Sequence, residues 1–454
     1  MKNQTTVTQY DKMTHTPIPK LILTLSVPSI LSMLITNIYN LVDTAFVGRL
    51  GTSASGAVGI VFGFMAIIQA FGYLFGQGAG SLLSRALGEK ENEKASVYAS
   101  VGFFSSLIFG VLITVSGFLF LDDVVTFLGS TPTIAPYAKT YITYILIAAP
   151  FMSSSLSMDN LLRYEGKAFY GMIGLMAGAV LNMIGDPILM FGLDMGIAGA
   201  GLSTALSQIV SWGVLLAMFL SGRTETKITL RFFSRISPSI LWDIVTTGFP
   251  SLIRQALNSI TTVMLNAQCA VFGDAAVAAM SIVSRIVFFS FSVALGIGQG
   301  FQPVAAFNYG AKKYSRLKKS YYFTAAVSEG FIVVVCVLLF LFAPTLITLF
   351  RNDAAVIGIG TRALRLQSAA TLVLPPIIAT EMLMQSVGKR LGATMLALLR
   401  NGLLFIPTLL ILANVRGLAG IEEAQPLSML LMLPFAIVCA IIFMKKLPKE
   451  DGSV

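Results

Sequence analysis

Apolar runs too long for a soluble core set the limits on what this chain can fold into. A bilayer crossing takes about 20 mostly apolar residues. Runs of that kind fall at 18–48, 54–82, 96–121, 135–162, 169–192, 196–220, 240–270, 275–304, 320–349, 360–387, 392–414 and 424–444. With 56% hydrophobic and 11% charged residues, and a mean hydropathy of +0.82, the expected fold class is all-α integral membrane, with twelve transmembrane helices. The residues before the first run are polar, and that run is too long for a cleavable signal peptide.

A net charge of +10 would suit a nucleic-acid partner, but the basic residues sit in short connections between runs. An even number of spans puts both termini on one side. If that side is cytoplasmic, the inner segments carry Lys90, Lys94, Arg163, Lys167, Arg223, Lys227, Lys312, Lys313, Lys318, Lys319, Lys445 and Lys446. The outer loops offer Arg49, Arg351 and Arg416, with Lys139, Arg362 and Arg365 near the same edge. Such a bias sets a multi-pass topology with cytoplasmic termini, and makes the lipid bilayer the partner rather than nucleic acid. Cys269, Cys336 and Cys439 lie far apart and the one histidine, His15, is in the polar N-terminal tail. No disulfide framework, metal cluster or nucleophile–base pair can be assembled from them, so neither an enzyme nor a cofactor is expected.

The sequence repeats itself. A shift of 222 positions lays Pro28 on Pro250, Gly51 on Gly273, Gly76-Gln77-Gly78 on Gly298-Gln299-Gly300, Lys90 on Lys312 and Gly166-Lys167 on Gly388-Lys389, with no gap. Two six-helix halves follow: residues 18–220 and 240–444, between a tail at 1–17, a linker at 221–239 and a tail at 445–454. Six spans per half make the repeat parallel, a symmetry that transporters use to move one half against the other. The paired glycines lack the strand-to-helix context of a phosphate loop, and close helix approach is the simpler account.

Acids inside the spans are costly, roughly 2.5–3.5 kcal/mol at a helix centre, and mark ion pathways. On the first span Thr36, Asn37, Asn40, Asp43 and Thr44 share one stripe at helical spacing, although Asp43 is near enough to the span's end to sit at the water interface instead. On the fifth, Asn182 is one turn before Asp186, and Pro187 should bend the helix; an Asp-Pro helix break near the interface is the alternative. Ser203, Ser207 and Ser211 on the sixth read more simply as glue between helices. Asp159 and Arg163 are spaced for an ion pair. The second half has no acid at the Asp43 register, which holds Leu265, but keeps Asn258, Thr262 and Asn266 on its first helix. Its one well-embedded acid is Glu381, with Arg254, Arg285 and Arg400 as open partners.

Several stretches together resemble one family: Asn40-Leu-Val-Asp43-Thr-Ala-Phe-Val-Gly48, Asp159-Asn-Leu-Leu-Arg163, Leu181-Asn-Met-Ile-Gly-Asp186-Pro-Ile-Leu189, Gly300-Phe-Gln-Pro-Val and Asn308-Tyr-Gly-Ala-Lys312. They are similar to the signatures of multidrug and toxic compound extrusion (MATE) transporters, of the multidrug/oligosaccharidyl-lipid/polysaccharide flippase superfamily, and closest to its bacterial DNA-damage-inducible branch. The resemblance implies two pseudo-symmetric six-helix lobes forming a V, a bacterial inner-membrane location and a monomer. It implies export of amphipathic organic cations in exchange for protons or sodium, the only ions required. By that similarity Asp43, Asp186, Asn182 and Thr204 form the coupling site, which could also take sodium at Asp43 and Asp186. Cavity candidates are Asn37, Asn40, Asp159, Gln255, Asn258, Thr262, Glu381 and Arg254. The rivals are a flippase for a lipid-linked saccharide, drawing on the arginines, and a non-transporting membrane sensor.

Overall fold

A computed structural model describes residues 8–452, leaving Lys2 and the rest of both extreme ends outside the described residues. Those residues are nearly all helical, and no strand occurs among them. Ten helices are long and apolar enough to cross a membrane, and Ala354–Thr371 with Leu374–Ser386 counts as an eleventh crossing, bent by 52°. The remaining expected span, Pro238–Ala270, runs 33 residues. Asp243, Arg254, Gln255 and Asn258 make it too polar to stand out by composition.

Three expected spans are interrupted. The ninth stops at Leu341, and a separate helix, Ala343–Phe350, follows. The tenth breaks before Pro375 and Pro376, which lack the N–H groups that would bond back to the preceding turn. The eleventh carries a π-helical turn at Leu399–Leu403. The fifth helix, Ala168–Pro187, runs on from Pro187 into a π-helical turn at Ile188–Gly192, where a bend was expected. The tail expected to be merely polar holds a short helix, Gln9–His15, with Met13 fully buried.

The repeat is written into the backbone. Positive φ angles occur at Gly51 (113°) and Gly273 (93°), at Lys90 (63°) and Lys312 (54°), and at Gly166 (83°) and Gly388 (74°). Each pair is separated by the sequence shift of 222.

The chain forms two compact units. One gathers Leu31–Leu252 with the N-terminal residues up to Met13, and the other holds Thr14–Ile30 with Ile253–Val454. These units cut across the boundaries expected at 18–220 and 240–444. The first helix of each half starts in one unit and ends in the other, changing after Ile30 and again after Leu252. Those points lie 222 residues apart, each two residues beyond a proline, Pro28 or Pro250, that lacks a ladder N–H.

Within the first unit, small residues let backbones meet. A Cβ on Gly76 would lie 2.8 Å from Ser157 Cα, and one on Gly78 would strike the Ile244 carbonyl. Gln77 between them accepts a hydrogen bond from Ser251 Oγ at 2.7 Å. The 221–239 linker is no loose tether. Lys227 N donates to Ser96 Oγ at 3.1 Å, Ser100 Oγ donates to Lys227 O at 3.0 Å, and Thr229 N donates to Ser100 Oγ at 3.1 Å.

Candidate functional site

The first helix (Ile18–Gly48), the fourth (Ala135–Tyr164), the fifth (Ala168–Pro187) and the sixth (Gly196–Leu220) bring together the acids singled out by sequence. Asp43 is 3% exposed and Asp186 fully buried. Their carboxyl groups lie within hydrogen-bonding reach of each other. Both acids are therefore enclosed by protein and face one another, whichever level of the span they occupy.

Asn182, one turn before Asp186, donates to Asp186 Oδ1 at 3.2 Å. Its amide nitrogen also approaches Ser203 Oγ at 3.3 Å and Thr204 Oγ1 at 3.4 Å, and Ser203 Oγ donates to the Asn182 carbonyl at 3.3 Å. Gly185 makes room for this: a Cβ there would sit 2.7 Å from Ser203 Oγ. Among the charges acting on the two carboxyls there is no lysine or arginine within the described residues. One oxygen of each, Asp43 Oδ1 and Asp186 Oδ2, is buried with no hydrogen-bond partner. Two acids this close need a shared proton or a bound cation to coexist.

Three residues of this cluster escaped the sequence reading as site members. Ser203 was read as helix glue, because small hydroxyls serve that role so often. Tyr39 lies one turn before Asp43 and Tyr141 comes from the fourth span. Both are near the two acids, and Tyr141 also bonds to Thr204. The i−4 spacing of Tyr39 from Asp43 was the one available signal. The polar stripe of the first span divides instead of facing one way: Asp43 is buried, whereas Thr44 is exposed and turns its hydroxyl to the Asn40 carbonyl at 2.7 Å. Asn37 and Asn40 are half-buried.

Asp159 pairs with Arg163 as its spacing predicts, Oδ2 to Nη2 at 2.8 Å, and Arg163 Nη2 also donates to Asn160 Oδ1 at 2.9 Å. All three side chains are buried.

In the second unit Glu381 has two partners. Arg254 Nη1 donates to Glu381 Oε1 at 2.9 Å, and Arg400 Nε lies 3.3 Å from Oε2. Arg400 sits in the Leu399–Leu403 π turn with its guanidinium 5.5 Å from the centre of the Phe291 ring. Arg285 is exposed and takes no part. Gln255 is half-buried, while Asn258 and Thr262 are exposed, Thr262 Oγ1 donating to the Asn258 carbonyl at 2.8 Å. No group of three or more His, Cys, Asp or Glu able to hold a metal occurs among the described residues.

A bundle of membrane-length helices with buried, paired ionisable groups and an internal repeat is the build of a membrane transporter, not of an enzyme. The MatE family model matches residues 28–188 and again 250–411, one match per repeat, and the chain belongs to that family. It is 30% identical over 397 residues to the multidrug export protein MepA of Staphylococcus saprophyticus, covering 87% of each chain. It is 28% identical over 407 residues to the MepA of Staphylococcus aureus, covering 89% of each. Among solved structures, a multidrug resistance MATE family transporter in an outward-facing conformation superposes with a TM-score of 0.92 at 26% identity, over 98% of this chain and 100% of that one. A superfamily transporter from Pyrococcus furiosus, described as having a binding pocket of reverse polarity, gives 0.90 at 26% identity, over 97% and 99%.

Proposed function

We propose that this chain is a multidrug efflux antiporter of a bacterial inner membrane, exporting amphipathic organic cations in exchange for protons, with sodium as the alternative ion. The observation that carries the reading is the pair of buried carboxyls, Asp43 and Asp186, with no lysine or arginine acting on them among the described residues. The site is completed only by a mobile positive charge. Proton and drug then compete for one acidic unit, and exchange follows if each favours a different conformation. The relatives named multidrug export proteins support the substrate class. The lysine-rich connections support cytoplasmic termini.

The arginines that would favour a lipid-linked saccharide flippase offer less than their number suggests. Arg254 and Arg400 share Glu381, and Arg285 is exposed.

The test is transport of a fluorescent organic cation in proteoliposomes, driven separately by a proton and a sodium gradient. Asp43→Asn and Asp186→Asn should each lower proton-driven transport by at least about tenfold, a loss of ~1.4 kcal/mol in coupling. Full pH-driven transport in both variants would sink the assignment, and drive by sodium alone would replace the proton.

A further inference from the structure

At the end of the second unit away from its lysine-rich connections, a groove of about 560 Å³ runs between the end of the ninth span and the first half of the tenth. Phe340 and Pro344 form one wall, and Ile357, Gly358, Thr361 and Arg365 lie along the other. Three features of its lining ask for a ligand. Arg365 has no carboxylate partner among the described residues, whereas its neighbour Arg362 is paired with Glu422 at 3.2 Å and Glu423 at 3.1 Å. The Arg365 guanidinium instead stacks 5.3 Å from the Phe340 ring centre, with Nε donating to the Phe340 carbonyl at 3.2 Å, which leaves the rest of its donors open. Thr361 Oγ1 is buried without a hydrogen-bond partner.

The depth of this groove selects the ligand. From Lys319 to Phe340 the ninth helix rises about 32 Å at 1.5 Å per residue, close to one hydrocarbon thickness. Phe340 and Arg365 therefore stand at the interface opposite the lysines. Below them the ninth helix presents apolar side chains outward: Val334 is 59% exposed, Val337 52% and Leu338 49%. A cation over an apolar groove at that level, above an apolar wall, matches a molecule with a phosphate at its head and two alkyl chains beneath.

We propose that this groove is a binding site for a membrane phospholipid. Its phosphodiester sits on the Arg365 guanidinium, Thr361 donates to an ester or phosphate oxygen, and Phe340, Pro344 and Ile357 enclose the glycerol and the first methylenes. The missing side chain at Gly358 keeps the groove open, since a Cβ there would meet nothing within 4 Å. Charge-assisted hydrogen bonds to phosphate supply specificity, and burial of the methylenes supplies the remaining attraction.

The experiment measures thermal unfolding of the full-length protein in detergent with added short-chain phosphatidylglycerol, inorganic phosphate, or a diacylglycerol of the same chains. The phospholipid alone should raise the unfolding midpoint of the native chain and of Arg365→Lys. Arg365→Gln, and Gly358→Leu, which fills the groove while leaving the guanidinium, should lose most of that rise. Gly358→Leu also improves helix propensity, so its loss of response cannot be put down to a failed fold. An undiminished rise in both Arg365→Gln and Gly358→Leu overturns the site. An equal rise with diacylglycerol reduces it to apolar adsorption, and one with inorganic phosphate alone makes it an anion site without a lipid; either result also overturns the proposal.

Discussion

The two units descend from one repeated sequence, yet they bury opposite charge. In the first, Asp43 and Asp186 face each other, and among the described residues no arginine or lysine acts on them. In the second, Leu265 occupies the Asp43 register, and the buried acid Glu381 is clasped by Arg254 and Arg400. A buried charge is tolerated when it is paired. The second unit has built its counter-ions into the chain; the first must borrow one. This difference, not the shared helical frame, is why we propose ion coupling in the first half.

The comparison can be broken by stability measurements, because neutralising an acid should act with opposite sign in the two units. Glu381→Gln strands two buried guanidinium groups and should cost about 3–5 kcal/mol, the usual penalty for removing one partner of a buried ion pair. Asp186→Asn removes a like-charge contact and should leave stability unchanged or raise it. Denaturant titration of the purified variants at neutral pH reads both. If both substitutions destabilise by similar amounts, the first unit holds a hidden counter-ion and the contrast fails.

A smaller effect tests whether the acid pair depends on tight helix packing. Alanine at Gly185 would put a Cβ 2.7 Å from Ser203 Oγ, the hydroxyl that holds Asn182, so the fifth and sixth helices must part or Ser203 must turn away. Overpacking of this kind costs about 1–3 kcal/mol. In the second unit a Cβ on Gly402 would meet only the flexible end of Leu257, at 3.0 Å. Gly402→Ala should accordingly cost less. Proton-driven transport and unfolding midpoints for the two variants give the ranking. Equal losses would mean that packing around Asn182 has no special role.

How far the sequence could be read follows from what each feature leaves in composition. Asp43, Asn182 and Asp186 stood out because an acid or amide inside an apolar run has few bland explanations. Tyr39 and Tyr141 did not, since an aromatic residue in such a run is ordinarily core. Arg254, Arg285 and Arg400 were all open as partners of Glu381, and the choice could not be made because 127 residues separate Arg254 from Glu381 and charge spacing reports only neighbours on one helix. The π turns at Ile188–Gly192 and Leu399–Leu403 change backbone bonding without changing residue type. The break at Pro375-Pro376 was passed over because the apolar run continues through it. The exchange of helix ends between units was hidden for a related reason: the polar linker at 221–239 marks a connection, whereas contacts decide which unit a helix end joins.

The smallest effect concerns an acid outside the spans, and it sharpens the same contrast. Glu165 follows the fourth helix, and the repeat places Val387 opposite it in the second half. It is fully buried, accepts hydrogen bonds from Glu225 N and from Thr226 Oγ1 at 2.8 Å, and lies 3.5 Å from Lys167 Nζ. Burial pushes its carboxyl up from the usual carboxylate range. The two hydrogen bonds and Lys167 oppose that rise, while Glu225 adds to it. The folded linker thus holds a proton that the undocked linker releases. Its docking is complete below the ordinary carboxylate pKa and weakens as pH rises through the elevated one. Hydrogen exchange at Lys227 and Thr229, whose amides bond to Ser96 and Ser100, should show protection falling over that window after correction for intrinsic exchange. Glu165→Gln should flatten the slope at the protected end. A slope that persists in Glu165→Gln would place the titrating group elsewhere.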